Sequence, residues 1–171
     1  ESGCISEETG WKPFHLCLKN KFDEIIACTP MYFKNHSQGE YVFDHSWANA
    51  YENAGGAYYP KLLIAIPFTP VSGQRILIRN NYEKNLISSL ILNRVEEIAS
   101  SNNISSVHIN FTKETENVIY QKNKFLERFG IQFHWKNNSY KSFNDFLETL
   151  SSRKKKSIIK ERKNDKHKDI K

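Results

Sequence analysis

The segment KLLIAIPF (61–68) is apolar from its second residue to its last. A strand with this pattern is covered on both faces, because a face left in water would carry polar side chains at alternate positions. Such a strand belongs inside a sheet that has helices packed on both sides. This segment therefore predicts an α/β fold, and the rest of the chain must supply the covering helices.

Periodicity predicts the elements around this strand. Strands are expected at 14–20, 22–34, 75–78, 105–111 and 131–137. Helices are expected at 46–56, 83–101, 114–129 and in the segment that contains Phe143, Phe146, Leu147 and Leu150. The apolar stripe of the second helix is predicted to be Leu86, Leu90, Ile91, Val95 and Ile98. A hairpin followed by alternating strands and helices predicts a mixed sheet with helices on both faces.

Positive charge is concentrated at the end of the chain. Residues 151–171 hold 10 Lys and Arg against 3 Asp and Glu, whereas residues 1–150 hold 15 against 16. The body therefore gives no general case for nucleic-acid binding. The charge break predicts one domain over 1–150 and a basic junction helix or tail over 151–171.

The sequence carries no membrane or export signal. It has no run of about 18 apolar residues and no basic and apolar leader at its start, which predicts a cytoplasmic protein. The absence of an initiator Met predicts that the natural start lies upstream. The three cysteines, Cys4, Cys17 and Cys28, are odd in number and lack CxxC spacing, so we expect reduced thiols, with no disulfide frame or zinc site.

The densest polar stretch is HSQGEYVFDHSW (36–47). It sets His36, Glu40, Asp44 and His45 among Tyr41, Phe43 and Trp47. Titratable groups between aromatic rings are typical of the mouth of a ligand cleft, where they would bind a substrate. Two alternatives stay open: a polar loop in which Asp44 or Ser46 caps the helix, and a metal site that would need three of the four titratable groups to converge.

The stretch AGGAYYPKL (54–62) follows. Gly55 and Gly56 end the predicted helix, while Tyr58, Tyr59 and Lys61 offer ring faces, hydroxyls and a cation to a substrate. A purely structural role, as a helix end and a strand entry fixed by Pro60, explains the same residues.

Two predicted strands each contribute a histidine, His108 and His134. Neighbouring strands could bring both to one crevice at their carboxyl ends, although each alone is also consistent with a hydrogen-bonded core histidine. The second strand also carries Gln132, Trp135 and Asn137, which are more function-capable groups than packing requires.

Several long motifs, in this order, resemble one family. They are HSQGEYVFDHSWANAYENAGGAYYPKL, IPFTPVSGQRIL, SSVHINF and QFHWKNNSYKSFNDFLETLSSRKKKSIIKERK. The sequence resembles the bacterial peptidoglycan biosynthesis/recognition proteins, a GNAT-like family related to the Fem-type aminoacyltransferases. The resemblance runs from about residue 10 to about residue 163.

The resemblance implies N-acyl transfer to an amine of a cell-wall precursor, with acyl-CoA or aminoacyl-tRNA as the donor. That reaction needs a base, and Glu40, Asp44, His45, His108 and His134 are the candidates. It also implies a two-lobed protein in which this chain is the first half and the second half is missing. The alternative is a non-catalytic module that recognises peptidoglycan precursors or a protein partner.

Relatives that use acyl-CoA hold its pyrophosphate on a glycine-rich loop at a helix N-terminus. Here PFTPVSGQR (67–75) has the single Gly73, and Arg75 could hold an anion. An ordinary turn explains the loop better than an anion site does.

The basic tail has three explanations: a solvated end, a nucleic-acid arm that contacts tRNA, or a junction helix over 152–163. The resemblance favours the helix, which would offer Arg153, Lys155, Lys156 and Arg162 to an anionic donor or precursor. Beyond Asn164 we expect a frayed end.

Overall fold

The computed structural model describes residues 3–165. Its strands are β1 Lys12–Pro13, β2 Leu16–Lys19, β3 Ile25–Thr29, β4 Met31–Lys34, β5 Lys61–Ile64, β6 Leu77–Ile78 and β7 Val107–Ile109. Its helices are α1 His45–Asn53, α2 Lys84–Ser101, α3 Glu114–Lys122, α4 Phe143–Glu148 and α5 Ser152–Asp165. The frayed end expected beyond Asn164 falls mainly on residues 166–171, outside the described part.

The strands form two sheets. The first has the order β1-β4-β5-β7, in which β4 and β5 are antiparallel while β5 and β7 are parallel. The second is antiparallel, with the order β2-β3-β6. The expected class, α/β with a mixed sheet and helices on both faces, is confirmed.

The predicted strand 22–34 is two strands, one in each sheet. The break falls at Pro30, between β3 and β4. Proline has no N–H to donate to a ladder, so a continuous strand cannot pass through it without losing a bond. The chain changes sheets at this point.

Strand β5 is buried along its whole length, as its apolar sequence predicts. On one face Leu62 and Ile64 join the main core, which is covered by α2. On the other face Leu63 packs with Trp11 and Tyr32. Lys61 and Leu63 share this second face with their ladder partners Lys34 and Tyr32, since directly opposed residues point to the same side.

Helix α2 agrees with its predicted span, but its buried face is rotated from the predicted stripe. Leu86 and Leu90 are exposed, whereas the buried positions are Ile87, Ser88, Ile91, Leu92, Val95 and Ala99. These positions follow i, i+4 rows along one side of the helix. Leucine content alone could not show which side meets the sheet.

The segment 131–137, expected to be a strand, forms no strand. Its alternating pattern fits an edge strand, but within residues 3–165 no strand pairs with it. Ile131 and Phe133 are consequently exposed. This prediction was wrong because alternation describes side-chain positions and supplies no pairing partner.

The chain divides into two compact units, 1–130 and 131–171. This division comes earlier than the charge break predicted at 150/151. In the second unit the helix expected near Phe143 is α4, which begins at Phe143 and buries Leu147. Ser142 caps this helix, because its side chain accepts from Asp145 N. The basic segment forms a helix, α5.

None of the helices within residues 3–165 is long and apolar enough to cross a membrane.

Candidate functional site

A group of buried charges lies on the second face of the mixed sheet. Lys34 and Lys61 are directly opposed on β4 and β5, and Glu40 and Asp44 lie in the loop and at the helix start that cover them. All four side chains are buried. We call Lys34, Lys61, Glu40 and Asp44 the buried charge cluster.

Lys61 is the centre of this cluster. Its ammonium donates to Glu40 Oε2 at 3.0 Å, to Asp44 Oδ2 at 2.8 Å and to Ser37 Oγ at 2.7 Å. Three acceptors match the three donors of an ammonium group. A lysine buried in this way is stable only because two carboxylates and a hydroxyl replace its water.

The buried ammonium group of Lys34 is stabilised by different partners. It lies 4.0 Å from the centre of the Trp11 ring and donates to Gln38 O at 3.1 Å. Like charges on directly opposed residues of a ladder repel each other. The two lysines bind different partners, Lys61 the carboxylates and Lys34 the ring face of Trp11. Burial lowers the pKa of Lys34 to about 8, and the charge of Glu40 partly opposes that shift.

The two carboxylates differ in their titration. Burial raises the pKa of Glu40, an effect that the nearby Lys61 only partly offsets. For Asp44 burial acts in the same direction but is outweighed by the hydrogen bond and charge of Lys61 and by the hydrogen bond from Tyr58, so its pKa is lowered to about 2. Asp44 therefore stays ionised, while Glu40 is the carboxylate that takes up a proton more readily.

Each carboxylate also has one oxygen that is left over. Glu40 Oε1 and Asp44 Oδ1 are buried and have no hydrogen-bond partner among the described residues. Buried acceptors without a partner are costly and uncommon in folded proteins.

Two tyrosines and a histidine complete the surroundings of the cluster. Tyr58 donates to Asp44 Oδ2 at 2.9 Å, and the Tyr59 hydroxyl lies 2.8 Å from Ser37 Oγ. The rings of Tyr58 and His108 meet edge to face at 5.9 Å. Burial, followed by the charge of Lys61, lowers the pKa of His108 to about 4, so its imidazole is neutral near pH 7.

The covering loop folds inward because of a glycine. Gly39 has φ +77, and a Cβ at this position would lie 2.5 Å from the Phe68 ring and 3.0 Å from Trp11 Nε1. Only glycine combines this backbone conformation with such close contact. The inward fold brings Glu40 over Lys61.

Asp44 occupies the N-cap position of α1, but its side chain makes no capping bond. The carboxylate is used by Lys61 and Tyr58 instead. The capping role proposed for Asp44 or Ser46 is therefore not observed, since α1 begins at His45. At its other end Gly55 and Gly56 donate to Glu52 O and Tyr51 O, which confirms that the glycine pair ends the helix.

The predicted arrangement of stretch 36–47 is reversed in the structure. We expected charges at a cleft mouth between aromatic walls, but Glu40 and Asp44 point inward. The aromatic side chains point outward, with exposures of 52% for Tyr41, 82% for Phe43 and 62% for Trp47. In this irregular loop the acidic and the aromatic side chains point to opposite sides. The acidic side chains point inward because the buried ammonium group of Lys61 attracts them.

The other residues of this stretch lie outside the cluster. His45 is exposed, and His36 is half-buried with its Nδ1 accepting from Gln38 N. Burial lowers the pKa of His36. Within residues 3–165 no three His, Cys, Asp or Glu side chains are arranged to hold a metal ion.

The loop at 67–75 closes on the protein instead of opening to an anion. Gly73 N donates to Phe111 O at 3.0 Å, and Arg75 donates to Asn110 O at 2.7 Å and to Val71 O at 2.6 Å. Arg75 is buried. The donors expected to hold an anion at Gly73 and Arg75 are thus engaged by backbone carbonyls.

The remaining predicted residues lie in the second unit. His134 is exposed and lies 3.1 Å from Gln132 Oε1, while Asn137 Oδ1 accepts from Tyr140 N at 2.7 Å. Trp135 packs edge to face on Phe146. Because 131–137 is not a strand, the expectation that neighbouring strands present His108 and His134 together loses its basis.

Helix α5 carries the predicted basic residues. Arg153 and Lys156 are exposed, Lys155 forms an ion pair with Glu148, and the Arg162 guanidinium lies 4.1 Å from the centre of the Phe143 ring. Two of the four are therefore engaged within the second unit.

No pattern in the sequence distinguishes Lys34, Ser37 or Arg128 as residues of the site. Lys34 resembled an ordinary exposed end of a strand, and only the ladder partner Lys61 shows why it is buried. Arg128 donates to Phe43 O at 3.1 Å and lies 5.4 Å from the Trp47 ring centre, a contact between distant segments that no local pattern predicts.

A family model described as peptidoglycan biosynthesis/recognition matches residues 1–171. Among curated proteins none matches the sequence. The fold is similar to the crystal structure of the aminoglycoside antibiotic 6'-N-acetyltransferase AAC(6')-Ih from Acinetobacter baumannii, at 15% identity and a TM-score of 0.45, covering 73% of this chain and 70% of that one.

Replacing Lys61 by Met is expected to lower the free energy of unfolding by about 3–5 kcal/mol, because two carboxylates are then buried without their cation. Chemical denaturation measures the change. The matched control is Lys19→Met, which removes an exposed ion pair with Asp23 and is expected to cost less than about 1 kcal/mol. Equal losses for the two variants would contradict a central role for Lys61.

His108 is expected to make stability depend on pH. Its pKa is about 4 in the folded chain, below the ordinary value of 6.5. As the pH falls from 6.5 to 4.5 the unfolded chain takes up a proton that the folded chain refuses, so about 2 kcal/mol of stability is lost. Denaturation of wild type and His108→Gln at several pH values isolates this contribution. His45→Gln, at an exposed position, should keep the wild-type profile, and an unchanged profile for His108→Gln would refute the assignment.

Proposed function

The chain belongs to the FemAB-like peptidoglycan biosynthesis/recognition family, and on that premise we propose that it takes part in N-acyl or aminoacyl transfer to an amine of a cell-wall precursor. The observation that supports this proposal is the pair of buried carboxylate oxygens, Glu40 Oε1 and Asp44 Oδ1, that have no partner among the described residues. They are two acceptors beside a fixed cation.

The amine that receives the acyl group can supply the hydrogen-bond donor that these two oxygens lack. Near pH 7 it arrives as an ammonium ion, which donates hydrogen bonds and must lose a proton before its nitrogen can attack a carbonyl. Asp44, with a pKa of about 2, keeps its charge and would hold the ammonium group. Glu40, whose pKa is raised by burial, would take the proton.

The transfer step forms one bond and breaks one bond at the acyl carbon. The neutral amine nitrogen forms a bond to the acyl carbon and loses its second proton, while the C–S bond of an acyl-CoA or the C–O bond of an aminoacyl-tRNA breaks. The leaving sulfur or oxygen takes up a proton in exchange, so the products are an amide and a free thiol or hydroxyl. His108 and Tyr58 line the same surroundings, with the imidazole neutral and the phenol hydrogen-bonded to Asp44.

Access to the carboxylates requires movement of the covering loop. Neither Glu40 nor Asp44 is exposed in the closed arrangement, and the segment between them has no regular secondary structure. Tyr41 in this segment has φ +55, a conformation that costs energy for a non-glycine residue and favours release.

The donor is acyl-CoA or aminoacyl-tRNA. Engagement of Gly73 and Arg75 by backbone carbonyls weighs against a pyrophosphate on that loop. The exposed Arg153 and Lys156 of α5 would suit the phosphates of a tRNA.

Replacing Glu40 by Gln in the complete protein is expected to lower turnover by at least about 100-fold, because the amide keeps the shape but cannot accept the proton. The assay follows the mass of a muropeptide with a free side-chain amine, in the presence of acetyl-CoA or an aminoacyl-tRNA. Glu52→Gln, at an exposed position of α1, is the matched control and should leave turnover unchanged.

Wild-type turnover retained by Glu40→Gln would exclude Glu40 as the base. Absence of turnover by the wild-type protein with either donor would argue against catalysis and favour the second function below.

The second candidate function is recognition of a precursor without catalysis. It is favoured by the outer aromatic face, which we define as Tyr41, Phe43, Trp47, Tyr51 and Arg128. Its four rings are between 51% and 82% exposed. Exposed rings with a neighbouring guanidinium are typical of binding surfaces, since they offer large contact area at a low cost in side-chain entropy.

Replacing Trp47 by Ala is expected to weaken muropeptide binding by at least about 10-fold, because the largest ring of this face and its Arg128 contact are lost. Isothermal calorimetry measures the affinity. Phe22→Ala removes another exposed ring, in the turn between β2 and β3, and should leave affinity unchanged. Equal affinity of wild type and Trp47→Ala would contradict a role for the outer aromatic face.

A further inference from the structure

The hairpin formed by β2 and β3 places two cysteines directly opposite each other. Cys17 and Cys28 are ladder partners, and their Sγ atoms lie 2.7 Å apart. Directly opposed residues of an antiparallel pair have Cα atoms about 4.5 or 5.5 Å apart, and both separations lie within the range that a disulfide spans. We propose that Cys17 and Cys28 form a site of reversible oxidation that closes an intramolecular disulfide.

The hairpin pairs Cys17 with Cys28 between the Leu16–Thr29 and Leu18–Ala27 pairs, and a shift in register between Leu18 and Lys19 separates these pairs from the turn. Asn20 Oδ1 accepts from Phe22 N at 2.9 Å and from Glu24 N at 3.1 Å. The backbone adds a bond from Asn20 N to Glu24 O at 2.9 Å. A side chain that closes a turn in this way stabilises the hairpin, and the ladder beyond the shift places the two cysteines opposite each other. Oxidation would therefore need only a small movement of side chains.

The two thiols have different surroundings. Cys17 is exposed, whereas Cys28 is half-buried. Burial, followed by the neighbouring Cys17 sulfur, raises the pKa of Cys28 to about 11. An oxidant in solution therefore meets Cys17 first, and Cys28 is the resolving partner.

A peroxide is the oxidant that fits this arrangement. The Cys17 thiolate attacks one peroxide oxygen, the O–O bond breaks, and a sulfenic acid and one water are produced. The Cys28 sulfur then attacks Cys17 Sγ, forming the S–S bond and releasing a second water. Two thiols lose two electrons and two protons in total, and the peroxide is reduced to two waters. A dithiol reverses the reaction by exchange.

The bond would tighten the part of the chain that leads to the buried charge cluster. Strand β3 continues through Pro30 into β4, whose last residue is Lys34. A cross-link between β2 and β3 restrains this hairpin in the unfolded chain, which raises the melting temperature by roughly 5 °C.

The test treats the purified chain with hydrogen peroxide, removes the excess with catalase, and alkylates the remaining thiols under denaturing conditions. We expect the intact mass before alkylation to fall by about 2 Da, two thiols fewer to react, and a proteolytic fragment linking Cys17 to Cys28. Dithiothreitol should restore the original mass and lower the melting temperature again.

Three variants show which cysteines form the disulfide. Cys17→Ser and Cys28→Ser should each abolish the linked fragment and the rise in melting temperature, whereas Cys4→Ser should keep both. Circular dichroism confirms that each variant is folded before treatment. The proposal is overturned if wild type keeps all its reactive thiols, if Cys17 is converted to a sulfinic acid without a linkage, or if the linkage joins Cys4 or two chains.

Discussion

The ammonium group of Lys61 is the constraint on which the surrounding structure depends. It lies at the start of the most buried strand and cannot reach water, so its partners must come from the protein. Ser37, Glu40 and Asp44 supply those partners, and all three belong to the segment that covers the sheet face. The position of that segment is thus set by charge, and Gly39 provides the backbone conformation that permits it.

The same constraint explains the two sides of the covering segment. Asp44 stands where a helix cap is expected, yet its carboxylate bonds to Lys61 and Tyr58. A side chain withdrawn from a local role into a buried polar group is a departure from local rules of the kind that accompanies function. With the acidic groups inside, the aromatic rings of the segment are left outside. The proposed chemistry and the proposed recognition surface are therefore opposite sides of one segment.

A helix or its end could be predicted where its own segment contained all the residues that determine it. The span of α2, the glycine pair that ends α1 and the helix over the basic tail all follow from local pattern. Prediction failed where a partner was needed. The alternation in 131–137 had no strand to pair with, and the leucines of α2 could not reveal which side met the sheet. For the site, local composition pointed to Glu40, Asp44, Lys61 and Tyr58 but predicted carboxylates at a cleft mouth, and nothing in the sequence pointed to Lys34.

The sequence by itself determined that Lys61 begins a strand buried on both faces, that acidic and aromatic residues alternate before α1, and that the chain belongs to its family. Periodicity and composition are properties of a single segment, so they do not depend on any tertiary contact. Only the tertiary structure decided that Lys34 opposes Lys61, that the carboxylates turn inward, and that Cys17 faces Cys28. Desolvation and strand register depend on what packs against a residue, and that neighbour lies far away along the chain.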